Sequence, residues 1–242
     1  RVAACTGRHW RRQRKAAELA KCRTLYSDGG WEAIRKQRHG QLLQMGLFDP
    51  GWRLPPRDQR IGPWEDETNK SWQAERMAVY AAMIDSMDQN IGRLMTALNK
   101  SGEADNTLVL FLSDNGGCAE EPGGRSPKIV PGPKEFYAAV GPAWGWAQNA
   151  PFRREKSGAH EGGIATPCIA WWPGQIKANS ITEQVGQIID FMPTFLELAG
   201  GKYPAKHKGQ SIQPVEGKSL VTVFKGGTRE GHEQLAWEWS GN

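Results

Sequence analysis

The sequence predicts an α/β fold in which a sheet is sandwiched between helices. Two observations carry this prediction: a long helical pattern runs directly into a short apolar run, and a second apolar run is followed by another helical pattern. Short runs that are apolar throughout are typical of strands whose two faces are both covered by helices. With 242 residues, the chain is long enough for one large domain or two small ones.

The clearest element is a helix expected from Ser71 to Lys100. Gly102 follows it and tolerates the left-handed conformation that often ends a helix. A shorter helix is expected from about Trp31 to Met45. The long helix is predicted because apolar residues recur every three or four positions and therefore share one face: Met77, Tyr80, Ile84, Met87, Ile91, Leu94 and Leu98.

Three further elements complete the α/β pattern. Strands are predicted at Thr107–Leu112 and at Pro167–Trp172, and Pro173-Gly174 ends the second strand. A helix is then expected from about Val185 to Ala199, before a pair of glycines. The order of these elements within one chain supports the α/β class.

The chain divides by composition into three segments. Residues 1–70 are rich in charge, Pro and Gly and are expected to be an excursion from the core. Residues 71–200 hold the partial α/β core, and residues 201–242 are expected to be a linker toward a further subdomain. Within the core, Cys118–Ala150 is too long and irregular for an ordinary connection, and such loops are usually functional or mobile. We expect both ends to be cut from a longer chain.

The net charge of +5 comes largely from one basic run near the start. The run holds a single aromatic residue, Trp10, and no zinc pattern, so a solvated helical face is favoured and no nucleic-acid partner is expected. No apolar run approaches the roughly 18 residues of a membrane span. The four cysteines form no Cys-x-x-Cys pair, and their redox state stays open. The basic residues are Arg8, Arg11, Arg12, Arg14, Lys15, Lys21 and Arg23.

Adjacent acid and amide side chains follow the first predicted strand. Asp114 and Asn115 lie just past its carboxyl end, where open α/β sheets characteristically bind ligands. Their oxygens suit Ca²⁺ or Mg²⁺, and Gly116-Gly117 lets a loop or substrate approach closely. An ordinary Asp-Asn-Gly turn is the alternative interpretation. Lys156 is a further candidate residue, and it follows Arg153 and Arg154 closely in the sequence. The alternative interpretation of Lys156 is a solvated lysine in a basic loop.

The wider pattern around these residues resembles sulfatases of the alkaline phosphatase superfamily. Asn106–Gly117 is similar to the strand and metal loop of that family. Pro151–Lys156 and then His160–Pro167 resemble the segment that presents a lysine to the sulfate. The resemblance runs from about Tyr26 to Asn242 and includes Asp190-Phe191-Met192-Pro193-Thr194. It implies an alkaline-phosphatase-like mixed sheet between helices, incomplete at both ends of this chain.

The resemblance also implies roles for individual residues. Asp114 and Asn115 are expected to bind Ca²⁺ (or Mg²⁺), and Lys156 is expected to contact the sulfate and its bridging oxygen. His160 could contact the substrate, although a lone loop histidine more often makes a structural hydrogen bond. Sulfatases use a formylglycine made from a Cys-x-Pro-Ser-Arg-like element, which none of the four cysteines matches. We therefore expect the formylglycine in an upstream segment that is absent here, and we expect this chain alone to be inactive.

The expected function is hydrolysis of sulfate monoesters, with a small-molecule or glycan sulfate ester as substrate. Two alternatives remain: a phosphonate or phosphate ester hydrolase of the same superfamily, and a degenerate binding protein without catalysis. Many relatives are periplasmic or secreted, which is the location that the resemblance implies. The particular ester stays open, because the long Gly- and Pro-rich loop carries no readable specificity pattern. The oligomeric state stays open as well.

Overall fold

A computed structural model of the chain describes residues 16–136 and 138–238. Contacts among these residues group them into two units. The first unit contains residues 16–97, Ser113–Pro167 without residue 137, and residues 237–238. The second contains Leu98–Leu112 and Cys168–Ala236. The three-part division expected from composition stays a prediction.

The first unit is mainly helical. The prediction of a long helix is confirmed by α3, and the prediction of a helix near Trp31 is confirmed by α2. The apolar face of the long helix is buried at Met77 but exposed at Ile84 and Leu94, so only the first turns of this helix are covered. The helices of this unit are α1 (Ala16–Cys22), α2 (Gly30–Gln44), α3 (Lys70–Ser101, whose last residues belong to the second unit), α4 (Gly141–Gln148), α5 (Glu161–Ile164) and a 3₁₀ turn at Trp64–Asp66.

Tryptophans form the centre of the first unit. Trp31 packs edge to face against Trp64 and Trp144, with ring centroids 4.7 and 5.7 Å apart. Trp144 is fully buried, and its indole N–H donates to the Gln73 carbonyl at 2.9 Å. Such T-shaped pairs are favoured by the ring quadrupoles. Because Trp144 lies in α4, this packing produces a helix within the Cys118–Ala150 stretch that the sequence predicted to be irregular.

The second unit holds the two predicted strands. β1 (Val109–Leu112) and β2 (Cys168–Trp171) pair antiparallel, with Val109 opposite Trp171. Phe111 is 44% exposed and Ile169 is 59% exposed. The α/β class is confirmed. The described residues contribute two strands to this sheet, and the exposure of Phe111 and Ile169 fits the expectation of an incomplete sheet. A small hairpin joins β3 (Lys206–His207) to β4 (Gln210–Ser211).

The helix expected from Val185 begins later than the sequence suggested. A 3₁₀ turn at Ile188–Asp190 leads into α6 (Phe191–Leu198). Pro193 has no N–H to donate to the carbonyl of residue 189, so it is tolerated only in the first helical turn. The helix therefore starts just before this proline, and the three residues ahead of the 3₁₀ turn are irregular.

A buried carboxylate ties the segment after residue 200 to α6. Asp190 is fully buried and accepts hydrogen bonds from Arg229 at 2.8 Å and His232 at 2.7 Å. The backbone N–H groups of Gln187 and Lys218 donate to the same carboxylate at 2.8 and 2.7 Å. Burial alone raises the pKa of such a group, but these four donors outweigh it and hold the Asp190 pKa below its usual value. A short helix, α7 (Val221–Phe224), lies in the same segment.

Two residues of the basic run, Lys21 and Arg23, lie within the described residues. Lys21 pairs with Asp85 at 3.0 Å, and Arg23 pairs with Glu75 at 3.2 Å. These exposed ion pairs fit the expectation of a solvated helical face. Arg8, Arg11, Arg12, Arg14, Lys15 and Cys5 lie outside the described residues.

Cys22, Cys118 and Cys168 are free thiols. Across residues 16–136 and 138–238, the structure contains no helix with the length and apolar character of a membrane span.

Candidate functional site

The predicted metal loop lies directly after β1 in the chain. Asp114 is exposed, and no described residue forms a hydrogen bond with its carboxylate. Asn115 is half-buried, and its amide N–H donates to the Gly116 carbonyl at 2.9 Å. Ser113 supports the loop, because its hydroxyl donates to the Asn115 carbonyl at 2.9 Å and its own carbonyl accepts from Thr166 at 2.8 Å. The oxygens of both candidate ligands therefore remain available.

Backbone hydrogen bonds join this loop to the segment that carries Lys156. The Gly116 N–H donates to the Gly163 carbonyl at 2.9 Å, and the Lys156 N–H donates to the Gly117 carbonyl at 3.1 Å. Two motifs about forty residues apart in the sequence are thus held side by side. The structure brings the loop of Asp114 and Asn115 and the segment of Lys156, which were identified from separate motifs, into one region.

Asn149 stabilises the contact between the Asp114 loop and the lysine segment, although no motif in the sequence indicates this role. Its side-chain oxygen accepts from the Gly117 N–H at 2.7 Å, and its amide N–H groups donate to the carbonyls of Gly145 at 3.0 Å and Arg154 at 3.3 Å. The residue is buried, so these bonds satisfy groups that water cannot reach. No local pattern marks it, because it lies within the Gly- and Pro-rich stretch and its partners are distant or backbone groups.

The glycines of the two motifs are required by this close approach. A Cβ atom added to Gly116 would lie 1.7 Å from the Gly162 carbonyl oxygen. One added to Gly162 would lie 2.2 Å from the Arg154 carbonyl oxygen and 2.3 Å from that of Arg153. Backbone atoms cannot move aside as a flexible side chain can. Gly116 is thus required by packing between the two loops, and Gly162 by packing within the lysine segment.

We expect Gly116→Ala to separate the Asp114 loop from the lysine segment and to lower the free energy of unfolding by about 1–3 kcal/mol, as overpacking does. Thermal or urea unfolding of the full-length protein measures this. Gly92→Ala is the matched control, since that glycine lies within α3 with open space around it. An equal loss in both variants would contradict the proposed clash.

The Lys156 ammonium lies against a carboxylate from the neighbouring loop. Its Nζ atom is 3.2 Å from Oε1 of Glu120, and the lysine side chain is 21% exposed. Glu120 follows the Asp114 loop in the sequence, so both loops contribute charge to the same region. A partly buried, single point charge of this kind suits contact with a compact anion.

Side chains from the first seventy residues hold the segment that precedes Lys156. Buried Arg35 donates to the carbonyls of Pro151 at 2.9 Å and Phe152 at 2.8 Å, and burial lowers its pKa to about 10. Arg60 pairs with Glu155 at 2.7 Å and with Asp58 at 2.8 Å. The hydrogen bond from Arg60 lowers the pKa of Asp58 to about 2. Residues 1–70, which the sequence predicts to be an excursion from the core, therefore supply side chains that stabilise the lysine segment.

The remaining candidate residue, His160, directly precedes α5. It is exposed at the start of α5, where its carbonyl accepts from the Gly163 N–H at 2.7 Å. Its ring forms no hydrogen bond with the described residues. His160 instead lines a cavity of about 590 Å³ together with Trp52 and Phe152, and the lining does not include Lys156, Asp114 or Asn115.

The donor types of the Asp114 loop fit a hard divalent cation, but they do not complete its coordination. Calcium takes six to eight oxygen ligands, and one carboxylate and one amide fall short of that number. Among the residues that the structure describes, no group of three or more His, Cys, Asp or Glu side chains is placed to hold a metal ion. Asp114 and Asn115 are thus suited to be part of a metal site.

Comparison with known proteins identifies the family to which the chain belongs. The sequence model of the sulfatase family matches residues 37–201, a range that includes the Asp114 loop, the lysine segment and His160. The chain therefore belongs to the sulfatase family.

Particular relatives agree with the family assignment. The chain is 33% identical to an uncharacterized sulfatase of Schizosaccharomyces pombe over 90% of its own length and 42% of that protein. It is 30% identical to an arylsulfatase of Klebsiella aerogenes over 80% of its length and 45% of that protein. The chain thus spans less than half the length of these two relatives.

Solved structures also match in part. One, in complex with its substrate D-glucosamine-2-N,6-O-disulfate, is 28% identical, with a TM-score of 0.44 over 70% of this chain and 26% of that chain. A phosphonate monoester hydrolase from Silicibacter pomeroyi is 20% identical, with a TM-score of 0.45 over 92% of this chain and 33% of that chain.

Proposed function

We propose that this chain is the part of a sulfatase that contacts the sulfate group and supplies part of a divalent-metal site for hydrolysis of sulfate monoesters. The observation that carries the proposal is the pair of backbone hydrogen bonds that joins the Asp114 loop to the Lys156 segment, from Gly116 to Gly163 and from Lys156 to Gly117. They place a candidate cation-binding loop beside a candidate sulfate-binding lysine. The substrate is proposed to be a small-molecule or glycan sulfate ester.

Lys156 suits the chemistry of the leaving group. When a sulfate monoester is cleaved, negative charge builds on the bridging oxygen in the transition state. A cation beside that oxygen stabilises the transition state more than the ground state and so raises the rate of the chemical step. The Glu120 carboxylate now next to Lys156 balances its charge before an anionic substrate takes that place.

Asp114 and Asn115 are the residues of this chain that would hold Ca²⁺ (or Mg²⁺). A bound divalent cation would supply positive charge for the sulfate oxygens. The nucleophile is proposed to be a formylglycine from another part of the protein, since no cysteine among the 242 residues begins a Cys-x-Pro-Ser-Arg-like element. The remaining metal ligands are proposed to come from there too, so that the 242 residues alone are inactive.

Family membership favours the sulfatase over the alternatives. The phosphonate or phosphate ester hydrolase would use a similar metal loop, but the family model that matches is that of sulfatases. Purified full-length protein should release inorganic sulfate from an aryl sulfate, which ion chromatography detects. Absence of sulfate release from both aryl and glycan sulfate esters would support the degenerate binding protein instead.

Asp114→Ala should weaken divalent-metal binding, because it removes the only carboxylate of the candidate loop. Isothermal titration of the chelator-treated full-length protein with Ca²⁺ measures the affinity directly, without any need for activity. Asp105→Ala is the matched control, because this aspartate is also exposed and precedes β1. Unchanged Ca²⁺ affinity in Asp114→Ala would contradict the metal role.

A further inference from the structure

The cavity beside the lysine segment combines an aromatic surface with cationic groups. About 590 Å³ in volume, it is large enough for one sugar-sized ring. The lining side chains that could contact a ligand all lie within the first unit, and none of them has a role in the proposed reaction. They are Trp52, Arg53, Phe152, Arg153, His160 and Glu161.

The aromatic surface is a packed cluster with one exposed face. Phe48, Trp52 and Phe152 lie with ring centroids 5.3 to 6.1 Å apart. The His39 ring is hydrogen-bonded to the Trp52 carbonyl at 2.8 Å, which helps to fix this loop. Trp52 nevertheless keeps 48% of its surface exposed. A large aromatic ring that is held in place yet open to solvent is well suited to stack against a ring of a ligand.

The two arginines of the cavity differ from their neighbours in charge pairing. Arg57 pairs with Glu32 at 3.2 Å, and Arg60 pairs with Glu155 at 2.7 Å. Arg154 lies 3.7 Å from an Asp58 oxygen. By contrast, the guanidinium groups of Arg53 and Arg153 form no ion pair or hydrogen bond with any described residue, and both line the cavity. The cavity is therefore lined by two arginines that have no carboxylate partner among the described residues.

We propose that this cavity binds a sugar ring that carries a sulfate group of its own. Trp52 stacks against the ring, and Arg53 and Arg153 bind the sulfate, for which the planar guanidinium is well matched. His160 and Glu161 offer polar atoms for the ring hydroxyl groups. A single acidic group among two unpaired arginines leaves the cavity net positive, which favours an anionic over a cationic ligand.

The proposal rests on the proposed function in one respect. Arg153 lines the cavity, and its carbonyl accepts from the Gly162 N–H at 2.9 Å; the next residue, Gly163, accepts from Gly116 of the Asp114 loop at 2.9 Å. A sulfated ring in the cavity would thus lie next to the junction between the Asp114 loop and the lysine segment. The inference narrows the substrate class from any sulfate ester to a glycan that is sulfated on more than one ring.

Binding to the full-length protein tests this proposal without any need for turnover. The probe is a sulfated chondroitin tetrasaccharide, titrated by calorimetry into the Lys156→Ala protein so that hydrolysis does not interfere. Chemically desulfated tetrasaccharide, which keeps its carboxylates, separates sulfate recognition from carboxylate recognition. Arg53→Ala and Arg153→Ala are added singly to this background, and Arg57→Ala is the matched control because it removes an equal charge from outside the cavity.

We expect each of Arg53→Ala and Arg153→Ala to weaken sulfated tetrasaccharide binding at least about tenfold, as loss of a charge-assisted hydrogen bond does. Trp52→Ala should weaken it about three- to tenfold through lost stacking. Arg57→Ala should leave it unchanged. Equal weakening by Arg57→Ala, equal binding of the desulfated sugar, or no measurable binding would each overturn the proposal. Sulfate release from an aryl sulfate by the wild-type protein tests the proposed function separately.

Discussion

Lys156→Ala in the full-length protein should lower kcat for sulfate ester hydrolysis by about 10²- to 10³-fold, the usual effect of removing one group that stabilises transition-state charge. The loss should fall on kcat more than on KM, because the charge on the bridging oxygen develops only in the transition state. Steady-state kinetics with an aryl sulfate measure both constants. Stability should change by less than about 1 kcal/mol, since the pair with Glu120 is partly exposed to solvent.

Two further variants separate a specific role of Lys156 from a general effect of charge. Lys128→Ala removes an exposed lysine from the same unit and should leave kcat unchanged. Lys156→Arg keeps the charge but replaces the compact ammonium with a larger planar group, and should restore activity only in part. If Lys156→Ala keeps wild-type turnover while folding normally, the lysine does not contact the reacting sulfate.

Asp190→Asn should lower the free energy of unfolding by about 3–5 kcal/mol, the range expected when one partner of a buried ion pair is removed. The variant leaves the Arg229 side chain, only 7% exposed, without its negative partner. The substitution also replaces one carboxylate oxygen with an NH₂ group. Two of the four hydrogen-bond donors that now meet an oxygen would then face another donor. Urea unfolding of the full-length protein measures the loss, with Asp105→Asn as an exposed control in the same unit.

The pH dependence gives this prediction a second test. The Asp190 pKa is lower in the folded protein than in the unfolded chain, so its stabilising effect is complete above the unfolded pKa of about 3.9. That effect is lost as the pH falls through the lower folded value. The difference in stability between wild type and Asp190→Asn should therefore be constant near neutral pH and shrink below about pH 4. A difference that grows toward acid pH would contradict the assigned role of the carboxylate.

Periodicity and local turn chemistry account for the elements that the sequence predicted well. α3 follows from apolar residues every three or four positions, and β1 and β2 follow from short apolar runs bounded by turn residues. α4 was not predicted, because its sequence Gly-Pro-Ala-Trp-Gly-Trp-Ala-Gln contains two glycines and a proline. Burial of Trp144 overrides those weak local preferences, and tertiary packing of this kind is not visible in a short window of sequence.

The candidate site shows the same division between local and long-range information. Asp114, Asn115 and Lys156 were identified from motifs, each within a few neighbouring residues. The role of Asn149 depends on where Gly117 and Arg154 lie in space, and no local pattern encodes that. Three of the four described donors to Asp190 come from 28 to 42 residues further along the chain, and no local pattern in the sequence indicates them.

The most direct test of the central claim is the ratio of kcat/KM values for an aryl sulfate and the matching aryl phosphonate monoester, measured on the full-length protein. The family assignment predicts that the sulfate ester is the better substrate. The proposed metal role of Asp114 and Asn115 predicts that chelator abolishes its hydrolysis and that Ca²⁺ or Mg²⁺ restores it. Preference for the phosphonate monoester, or hydrolysis of the sulfate ester that chelator leaves unchanged, would contradict a metal-dependent sulfatase.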